Sequence, residues 1–210
     1  VSCCYTHANA ASIGSEAFVD DLVARGAKFA WFFTYMPVGA SAPTDLLATA
    51  EDRAFMYRQI RAFRETKPIF TMDFWNDGEF TQGCIAGGRR YLHINANGDI
   101  EPCAFIHYAD SNIRDTTILE ALQRPLFMAY HDGQPFNENH LRPCPVLDNK
   151  DRLAEMVAVS GARSTDLEQP EDAADLCAKT HATADRWEPV ADALWDEGHW
   201  TSGPNKGRRK

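Results

Sequence analysis

Apolar and polar positions along the first 83 residues follow an alternating strand and helix pattern. Phe18, Leu22 and Val23 fall on one face of a predicted amphipathic helix, and Gly26 is placed to end it. Residues 29–36 then form a nearly continuous apolar run. Because a strand covered on both faces shows no alternation, this run predicts a central parallel strand buried on both sides.

A second helix and strand follow at the spacing of a β-α-β unit. Residues 51–65 predict a helix whose buried side includes Phe55, Ile60 and Phe63, and residues 68–74 predict the next strand. Strand, helix and strand in this order are typical of a parallel sheet or barrel. The sequence therefore predicts an α/β fold whose functional loops follow the carboxyl ends of the strands.

Beyond residue 83 the pattern changes to short strands and short helices. Asn97 and Gly98 lie between the strand-like runs 91–94 and 99–101 and predict a hairpin, because both residues tolerate the positive φ of a tight turn. Thr117 and Glu120 are spaced as a helix capping box. Helices are predicted at residues 117–124, at 151–160, after Pro170 and, as a short last turn, at 190–195.

Charge and hydropathy narrow the class of protein. The chain has 210 residues and a formal net charge of −9, and its one concentrated basic run is at residues 206–210. A phosphate backbone demands a concentrated positive field, so no nucleic-acid partner is expected. No apolar run approaches the roughly 20 residues of a membrane span, and no signal peptide opens the sequence. We expect a cytoplasmic protein, and the initial Val1 indicates a piece of a longer chain.

Three cysteines lie in Gly- and Pro-rich turns and carry the candidate chemistry. Cys84, Cys103 and Cys144 sit where proline and glycine keep the backbone out of helices. Thiolates are soft ligands that favour iron–sulfur clusters and zinc. Gly87 and Gly88 permit a close backbone approach, and their amides are predicted to hydrogen-bond cluster sulfurs. The sequence therefore predicts a metal centre on these three cysteines.

The remaining thiols and the loop histidines have simpler explanations. Six cysteines are too sparse for a disulfide framework, and free cysteine is often a small core residue. Cys3, Cys4 and Cys177 are assigned to that class, although Cys177 is also a candidate fourth ligand. Three loop histidines are predicted as structural hydrogen-bonding residues, with a fourth ligand or a proton donor as the alternative: His107, His131 and His140.

The segment from Cys84 onward resembles the SPASM or twitch auxiliary-cluster domain of radical S-adenosylmethionine enzymes. The likeness rests on the spacing Cys84-x13-Gly98-x4-Cys103, a later cysteine, and the pair Asn112-Ile113 before a short helix. It implies the last strands and helices of a partial (β/α)6 TIM-like barrel, then a small α+β twitch-like domain with a β-hairpin, then a helical extension. The corresponding boundaries are 1–83, 84–150 and 151–210.

The resemblance also implies two cofactors. One is a [4Fe–4S] cluster on the three turn cysteines, and the other is S-adenosylmethionine in the complete protein. The family's radical-forming motif, Cys-x3-Cys-x2-Cys, is absent from this chain, so we expect it in a missing N-terminal part. The later closely spaced cysteines of a full SPASM domain are also absent, which favours the twitch type with one auxiliary cluster. Some members leave one iron open to substrate, a further alternative to a fourth protein ligand.

Three carboxylates crowd the end of a predicted strand and are the candidate catalytic residues. Asp73, Asp77 and Glu79 are suited to bind a substrate amine or relay protons, with pKa values raised by mutual repulsion. A solvated loop with an Asx-turn at residues 76–78 explains the same residues equally well.

The resemblance implies further contacts at the preceding strand end. Tyr35, Met36 and Gly39 are implied to contact the adenosyl cofactor. Arg89 and Arg90 are candidates to face an anionic substrate or the cluster, with a solvated pair as the simpler explanation.

The function implied is that of an oxidoreductase acting on an unidentified substrate. The resemblance implies a reducing electron donor such as a ferredoxin or flavodoxin. A structural zinc module is an alternative, although the closely paired Cys-x2-Cys typical of zinc is absent. A non-catalytic iron–sulfur electron-transfer or interaction module, and a plain α/β domain with unligated thiols, are the others.

Overall fold

The computed structural model describes residues 1–201, with side chains described to residue 197. The basic run at residues 206–210 lies outside the described residues. Within them the chain has a mixed α/β fold.

Three parallel strands form the main sheet. They are β1 (Ser2–Tyr5), β2 (Phe29–Thr34) and β3 (Phe70–Asp73), with β2 in the centre. The register pairs Ser2 with Trp31 and Phe29 with Phe70. The predicted central parallel strand is therefore confirmed, together with the β-α-β connection that a parallel pair requires.

Helices cover one face of this sheet. They are α1 (Ala10–Ile13), α2 (Glu16–Ala24) and α3 (Ala50–Thr66), with a 3₁₀ turn at Thr44–Leu46 before α3. The side chain of Ser15 caps α2, and Thr49 with Asp52 forms a capping box that begins α3. Ile60 and Phe63 are buried as predicted, but Phe55 is 37% exposed, so its assignment to the core is wrong.

The opposite face of the sheet is aromatic and only partly covered. Along β2 the burial alternates, with Ala30 and Phe32 buried while Trp31 and Phe33 are half-buried. The prediction that this strand is buried on both faces is therefore wrong. The partly exposed positions carry Phe29, Trp31 and Phe33, which are as apolar as the buried Ala30 and Phe32, and this hides the two-residue period in the sequence. On the open face, Phe33 stacks on Phe74 with ring centroids 5.2 Å apart.

The predicted hairpin is confirmed. After α4 (Gly78–Thr81), β4 (His93–Ile94) pairs antiparallel with β5 (Ile100–Glu101). Gly98 has a φ of 85°, whereas Asn97 does not have a positive φ. Instead the Asn95 side chain accepts hydrogen bonds from the backbone N–H groups of Asn97 and Asp99. A second short pair joins β6 (Tyr108–Ala109) to β7 (Arg163–Ser164).

Five helices complete the described chain: α5 (Ile118–Ala121), α6 (Pro125–Gly133), α7 (Arg152–Ser160), α8 (Ala173–Ala178) and α9 (His181–Thr201). The capping box of Thr117 and Glu120 and the end of α7 at Gly161 are confirmed. Helix α6 was not predicted, and Pro125 stands at its first position, where proline is tolerated.

Helix α9 is far longer than the predicted last turn at 190–195. Pro189 lies inside it, and an interior proline removes a backbone hydrogen bond, so the sequence argues against a long helix here. Trp187, Ala191 and Leu194 are buried against α3 on both sides of the proline. This burial of apolar surface stabilises the helix in spite of the lost bond.

The largest core cluster joins segments that are distant in sequence. It includes Met36 after β2, Cys103 near the hairpin, and Leu153 and Cys177 from α7 and α8. The three ranges inferred from the sequence thus share one buried cluster. Over the described residues, no helix combines the length and the apolar character needed to cross a membrane.

Candidate functional site

Cys84, Cys103 and Cys144 line a single cleft, which we call the thiol cleft. About 440 Å³ of its space is unfilled by protein atoms, part of it open to solvent. Its other lining residues are mostly apolar: Met36, Phe74, Trp75, Gly83, Ile85, Ala86, Phe105, Ile106, Tyr130, Pro143 and Pro145. The structure therefore brings together the three cysteines that the turn pattern singled out.

The Cys84 loop is held by contacts to its carbonyl groups. Arg89 donates to the carbonyl oxygens of Thr81, Gln82 and Cys84, at 2.7 to 3.0 Å. Gln134 donates to the carbonyl of Ala86 at 3.0 Å. Arg89 is thus a structural clamp rather than half of a solvated pair, whereas Arg90 is exposed.

The two glycines after Cys84 matter because they lack a side chain, and their amides bond backbone carbonyls rather than sulfur. The Gly87 amide donates to the carbonyl of Pro102 at 2.9 Å, and the Gly88 amide to that of Tyr91 at 3.0 Å. The prediction that these amides donate to sulfur is therefore wrong, because backbone carbonyls already occupy them. The predicted close approach is confirmed: a Cβ on Gly87 would lie 2.5 Å from the Cβ of Tyr130.

Cys103 is fixed by a neighbouring tyrosine and by its own turn. The Tyr91 hydroxyl lies 2.7 Å from the Cys103 sulfur. The Ile106 amide donates to the Cys103 carbonyl at 3.0 Å. Cys103 is therefore held in place by contacts to both its sulfur and its backbone carbonyl.

Cys144 is held by a buried ion pair. Its amide donates to Asp148 Oδ2 at 2.9 Å, and Asn149 donates to its carbonyl at 3.0 Å. Asp148 Oδ1 accepts from Arg53 of α3 at 2.7 Å, and both charged side chains are essentially inaccessible to solvent. Trp187 of α9 stacks on the Arg53 guanidinium at 4.1 Å. The position of Cys144 thus depends on two distant helices.

The Cys144 sulfur also accepts a hydrogen bond from the Val146 amide, at 3.5 Å. Backbone N–H groups just after each cysteine act to lower the pKa of its thiol: those of Ala86 for Cys84, Phe105 for Cys103, and Leu147 and Val146 for Cys144. A neutral thiol is a weak acceptor, whereas hydrogen bonds to an ionised group favour the ionised form. The repeated arrangement therefore suits sulfur that carries negative charge.

Without a bound cation, however, the thiols are held neutral. Burial raises the pKa of Cys84, and the nearby Cys144 and Cys103 raise it further. Burial also raises the pKa of Cys103, and it raises that of Cys144 to about 12. An apolar cleft cannot accommodate three uncompensated thiolates, so a cation is needed for them to ionise together.

Replacing Gly87 by alanine tests how tightly this loop packs. Gly87 has a φ of 67° and Gly161 a φ of 65°, but a Cβ on Gly161 meets nothing within 4 Å. Gly161→Ala should cost the backbone strain alone, about 1–2 kcal/mol. Gly87→Ala adds a collision with Tyr130 and should cost about 1–3 kcal/mol more. Urea unfolding measures both, and equal costs would contradict the packing.

The other predicted ligands lie elsewhere. Cys177 is buried in α8, in the same core cluster as Leu153 of α7, and it is not among the described residues that line the thiol cleft. Cys3 is buried as predicted, but Cys4 is exposed, because alternate residues of β1 face opposite sides.

The three histidines predicted in loops have surroundings of their own, and His131 lies in helix α6 rather than in a loop. His131 pairs with Asp132 at 2.8 Å, and the His140 ring packs edge-on against Trp195. The His107 carbonyl accepts from the Thr165 amide. Among the described residues that line the thiol cleft, there is no histidine.

The candidate catalytic carboxylates form a buried loop cap rather than a solvated loop. Asp73 Oδ1 accepts from the amides of Trp75 and Asn76, both at 3.1 Å. Asp77 pairs with Arg64 at 2.8 Å, and Glu79 with Arg61 at 2.7 Å. The carboxylates lie beside the cleft wall at Trp75 but are not part of its lining.

Asp73 gives the fold a distinctive pH dependence. Burial, followed by the charge of Asp77, raises the pKa of Asp73 from 3.8 to about 6. The folded state therefore binds the proton more tightly, and stability from this group is highest below pH 4 and is lost as the pH rises to 6. Relative to wild type, Asp73→Asn should gain roughly 3 kcal/mol across that range. Urea unfolding of the metal-free protein measures it, and a constant difference would count against the buried carboxyl.

The residues after β2 that were implied to contact an adenosyl group do not all lie at one site. Met36 lines the thiol cleft, and Tyr35 is half-buried beside the same core cluster. The Gly39 carbonyl accepts from Lys179 of α8 at 2.6 Å. Lys179 also pairs with Glu171, so the loop after β2 is tied to α8.

Several residues that shape the cleft were missed by the sequence reasoning: Arg53, Trp75, Tyr91, Tyr130 and Asp148. The aspartate four residues after Cys144 and the two tyrosines beside the Cys84 loop carry no periodic signal. Arg53 was the hardest of these residues to predict, since an arginine on a helix is usually exposed. In the described part of the chain, no three His, Cys, Asp or Glu side chains are arranged to hold a metal ion as they stand.

Comparisons with known proteins assign no family. No protein-family model matches the chain, and no curated protein matches it. Native anSMEcpe with bound AdoMet and Cp18Cys peptide superposes with a TM-score of 0.42 at 13% identity, over 93% of this chain and 57% of that one. Hexahistidine-tagged anSMEcpe with bound AdoMet gives a TM-score of 0.40 at 13% identity, over 93% and 54%. The chain thus spans little more than half of these structures, and a likeness this low assigns no activity.

Proposed function

We propose that Cys84, Cys103 and Cys144 hold an auxiliary [4Fe–4S] cluster, and that the chain is the C-terminal portion of a radical S-adenosylmethionine enzyme. The observation that carries the first part is the convergence of these three thiols on one apolar cleft. The second part rests on the sequence resemblance of residues 84–150. Residues 1–83 would then be late barrel strands, and residues 151–210 a helical extension.

The chemistry of the donor set suits a cluster better than one metal ion. In a [4Fe–4S] cluster each thiolate binds its own iron, so the thiolates stand farther apart than the ligands of a single ion. Three thiols that share one apolar cleft are consistent with that larger group. The amides aimed at the three sulfurs are the donors that tune such clusters.

When bound, the cluster would supply one-electron chemistry or an iron site for substrate. The chain's own residues would do the rest. Apolar side chains such as Phe74, Phe105 and Ile106 would exclude water from the cleft. Arg89 and Asp148 would keep two of the cysteine loops in place. Asp73, Asp77 and Glu79 remain the proposed proton-handling groups, and burial raises the pKa of Asp73 to about 6, which suits that role.

Anaerobic reconstitution of the full chain with ferrous iron and sulfide tests the cluster. We expect a brown protein with broad absorption near 400 nm and about four irons and four sulfides per chain. Uptake of Zn²⁺ in preference, giving a colourless protein with one metal, would instead support the structural zinc module. No uptake of either would support a domain with unligated thiols.

The proposal that the chain is part of a radical S-adenosylmethionine enzyme has to be tested on the complete protein. A complete chain carrying Cys-x3-Cys-x2-Cys upstream should bind S-adenosylmethionine and cleave it when reduced by dithionite or a flavodoxin. Tyr35→Ala and Met36→Ala should weaken that binding if the end of β2 contacts the cofactor. Unchanged affinity in both variants would remove this segment from the cofactor site.

A further inference from the structure

Tyr130 of α6 has a buried hydroxyl without a hydrogen-bond partner. The residue has no exposed surface, and its Oη is one of seven buried side-chain nitrogen or oxygen atoms in the described chain that lack a partner. Such groups are uncommon in native proteins and call for a specific explanation, such as an absent ion or ligand. Of the seven, the Tyr130 hydroxyl is the one whose residue lines the thiol cleft.

The tyrosine is fixed in place by its neighbours. Its side chain packs on Gly87, where a Cβ would lie 2.5 Å away. The Phe136 ring meets it edge-on, with centroids 5.5 Å apart. Since the ring is wedged between the Cys84 loop and Phe136, the hydroxyl cannot readily turn to another acceptor.

Tyr130 lines the same cleft as the three thiols. Burial raises the pKa of Tyr130 well above its ordinary range, and negative charge at Cys84, Cys103 or Cys144 would raise it further. The phenol is therefore neutral and available as a donor. Tyr91 differs, because its hydroxyl already lies 2.7 Å from the Cys103 sulfur.

We propose that the Tyr130 hydroxyl donates a hydrogen bond to the sulfur of an iron–sulfur group bound in the thiol cleft. The inference rests on the proposed cluster and adds a residue that tunes it. A donor beside cluster sulfur stabilises the reduced state, which carries one more negative charge, and so raises the reduction potential. Packing accounts for the position of the Tyr130 ring, and the proposed hydrogen bond accounts for its buried hydroxyl.

Tyr130→Phe removes the hydroxyl and keeps the ring. In the full chain reconstituted with ferrous iron and sulfide, we expect a more negative midpoint potential and several-fold faster loss of iron to a chelator. Resonance Raman iron–sulfur bands should shift in D₂O for the wild type and less for the variant. Tyr108→Phe is the matched control, since Tyr108 is also buried but donates to the Glu171 carbonyl at 2.9 Å, outside the cleft lining.

Stability of the metal-free protein gives a second readout. Tyr130→Phe loses no hydrogen bond there, so it should unfold at the same urea concentration as wild type or a higher one. Tyr108→Phe should unfold at a lower one. Marked destabilisation by Tyr130→Phe would mean that the hydroxyl is bonded inside the protein, which overturns the inference.

Failure of the inference and failure of the proposed function look different. If wild type takes up the cluster and Tyr130→Phe leaves both its potential and its retention unchanged, only the role of Tyr130 is lost. A tyrosinate-to-iron absorption band in wild type would make Tyr130 a ligand and would also overturn the donor role. If wild type takes up no iron and sulfide, the proposed cluster falls and the inference falls with it.

Discussion

Alanine at Cys84, Cys103 or Cys144 is expected to abolish stable iron–sulfur uptake, whereas alanine at Cys177 should leave it intact. The first three thiols line one cleft. Cys177 instead lies in the core beside Leu153 of α7, outside the cleft lining. Removing one of three thiolates leaves too few protein ligands to hold a cluster. Iron and sulfide counts, with the absorption near 400 nm, measure the outcome after anaerobic reconstitution.

Two controls separate ligand loss from general damage. Cys4→Ser changes an exposed thiol and should keep full iron content. The metal-free cleft variants should remain folded, because losing one sulfur from a core position costs little compared with the whole stability of a domain. Full iron content in Cys144→Ala would refute the three-cysteine site, and loss of iron in Cys177→Ala would make Cys177 the fourth ligand.

The largest change in stability is expected at the buried pair of Arg53 and Asp148. Arg53→Met leaves the Asp148 carboxylate buried without its partner, and removing one member of a buried pair typically costs about 3–5 kcal/mol. Asp148→Asn should be costly as well, because Asp148 also accepts the amide of Cys144 at 2.9 Å. Urea unfolding of the metal-free chain measures both effects.

A matched exposed pair supplies the comparison. Arg25 and Asp21 form an ion pair 2.7 Å long at the end of α2, with both side chains more than half exposed, so Arg25→Met should change the free energy of unfolding very little. Replacing both Arg53 and Asp148 by apolar residues should cost less than the sum of the single changes. Equal costs for Arg53→Met and Arg25→Met would show that the buried pair contributes no more than a surface one.

Local signals in the sequence predicted the elements whose stability is local. The hairpin at Gly98 and the capping box at Thr117 were found because each depends on a few neighbouring residues. Helix α9 was underestimated since its stability comes from Trp187 and its neighbours packing on α3. Helix propensity carries no information about such a tertiary contact, and Pro189 disfavours a helix at this position.

In the candidate site, too, the sequence predicted the residues with a local signal and missed those that depend on distant contacts. Gly and Pro beside Cys84, Cys103 and Cys144 distinguished these thiols from the others before any contact was known. The supporting residues could not be found similarly. Arg53 and Asp148 are 95 residues apart in sequence, and no period or spacing relates an arginine on α3 to the loop of Cys144.

The sequence by itself thus determined the α/β character, the hairpin and the identity of three turn cysteines, because backbone conformation and ligand softness belong to individual residues. The tertiary structure alone decided that these thiols share a cleft, that Cys177 lies outside its lining, and that Tyr130 lines it with a buried hydroxyl that has no hydrogen-bond partner. Those facts depend on the packing of segments far apart in the chain, where burial and charge act through space rather than along the sequence.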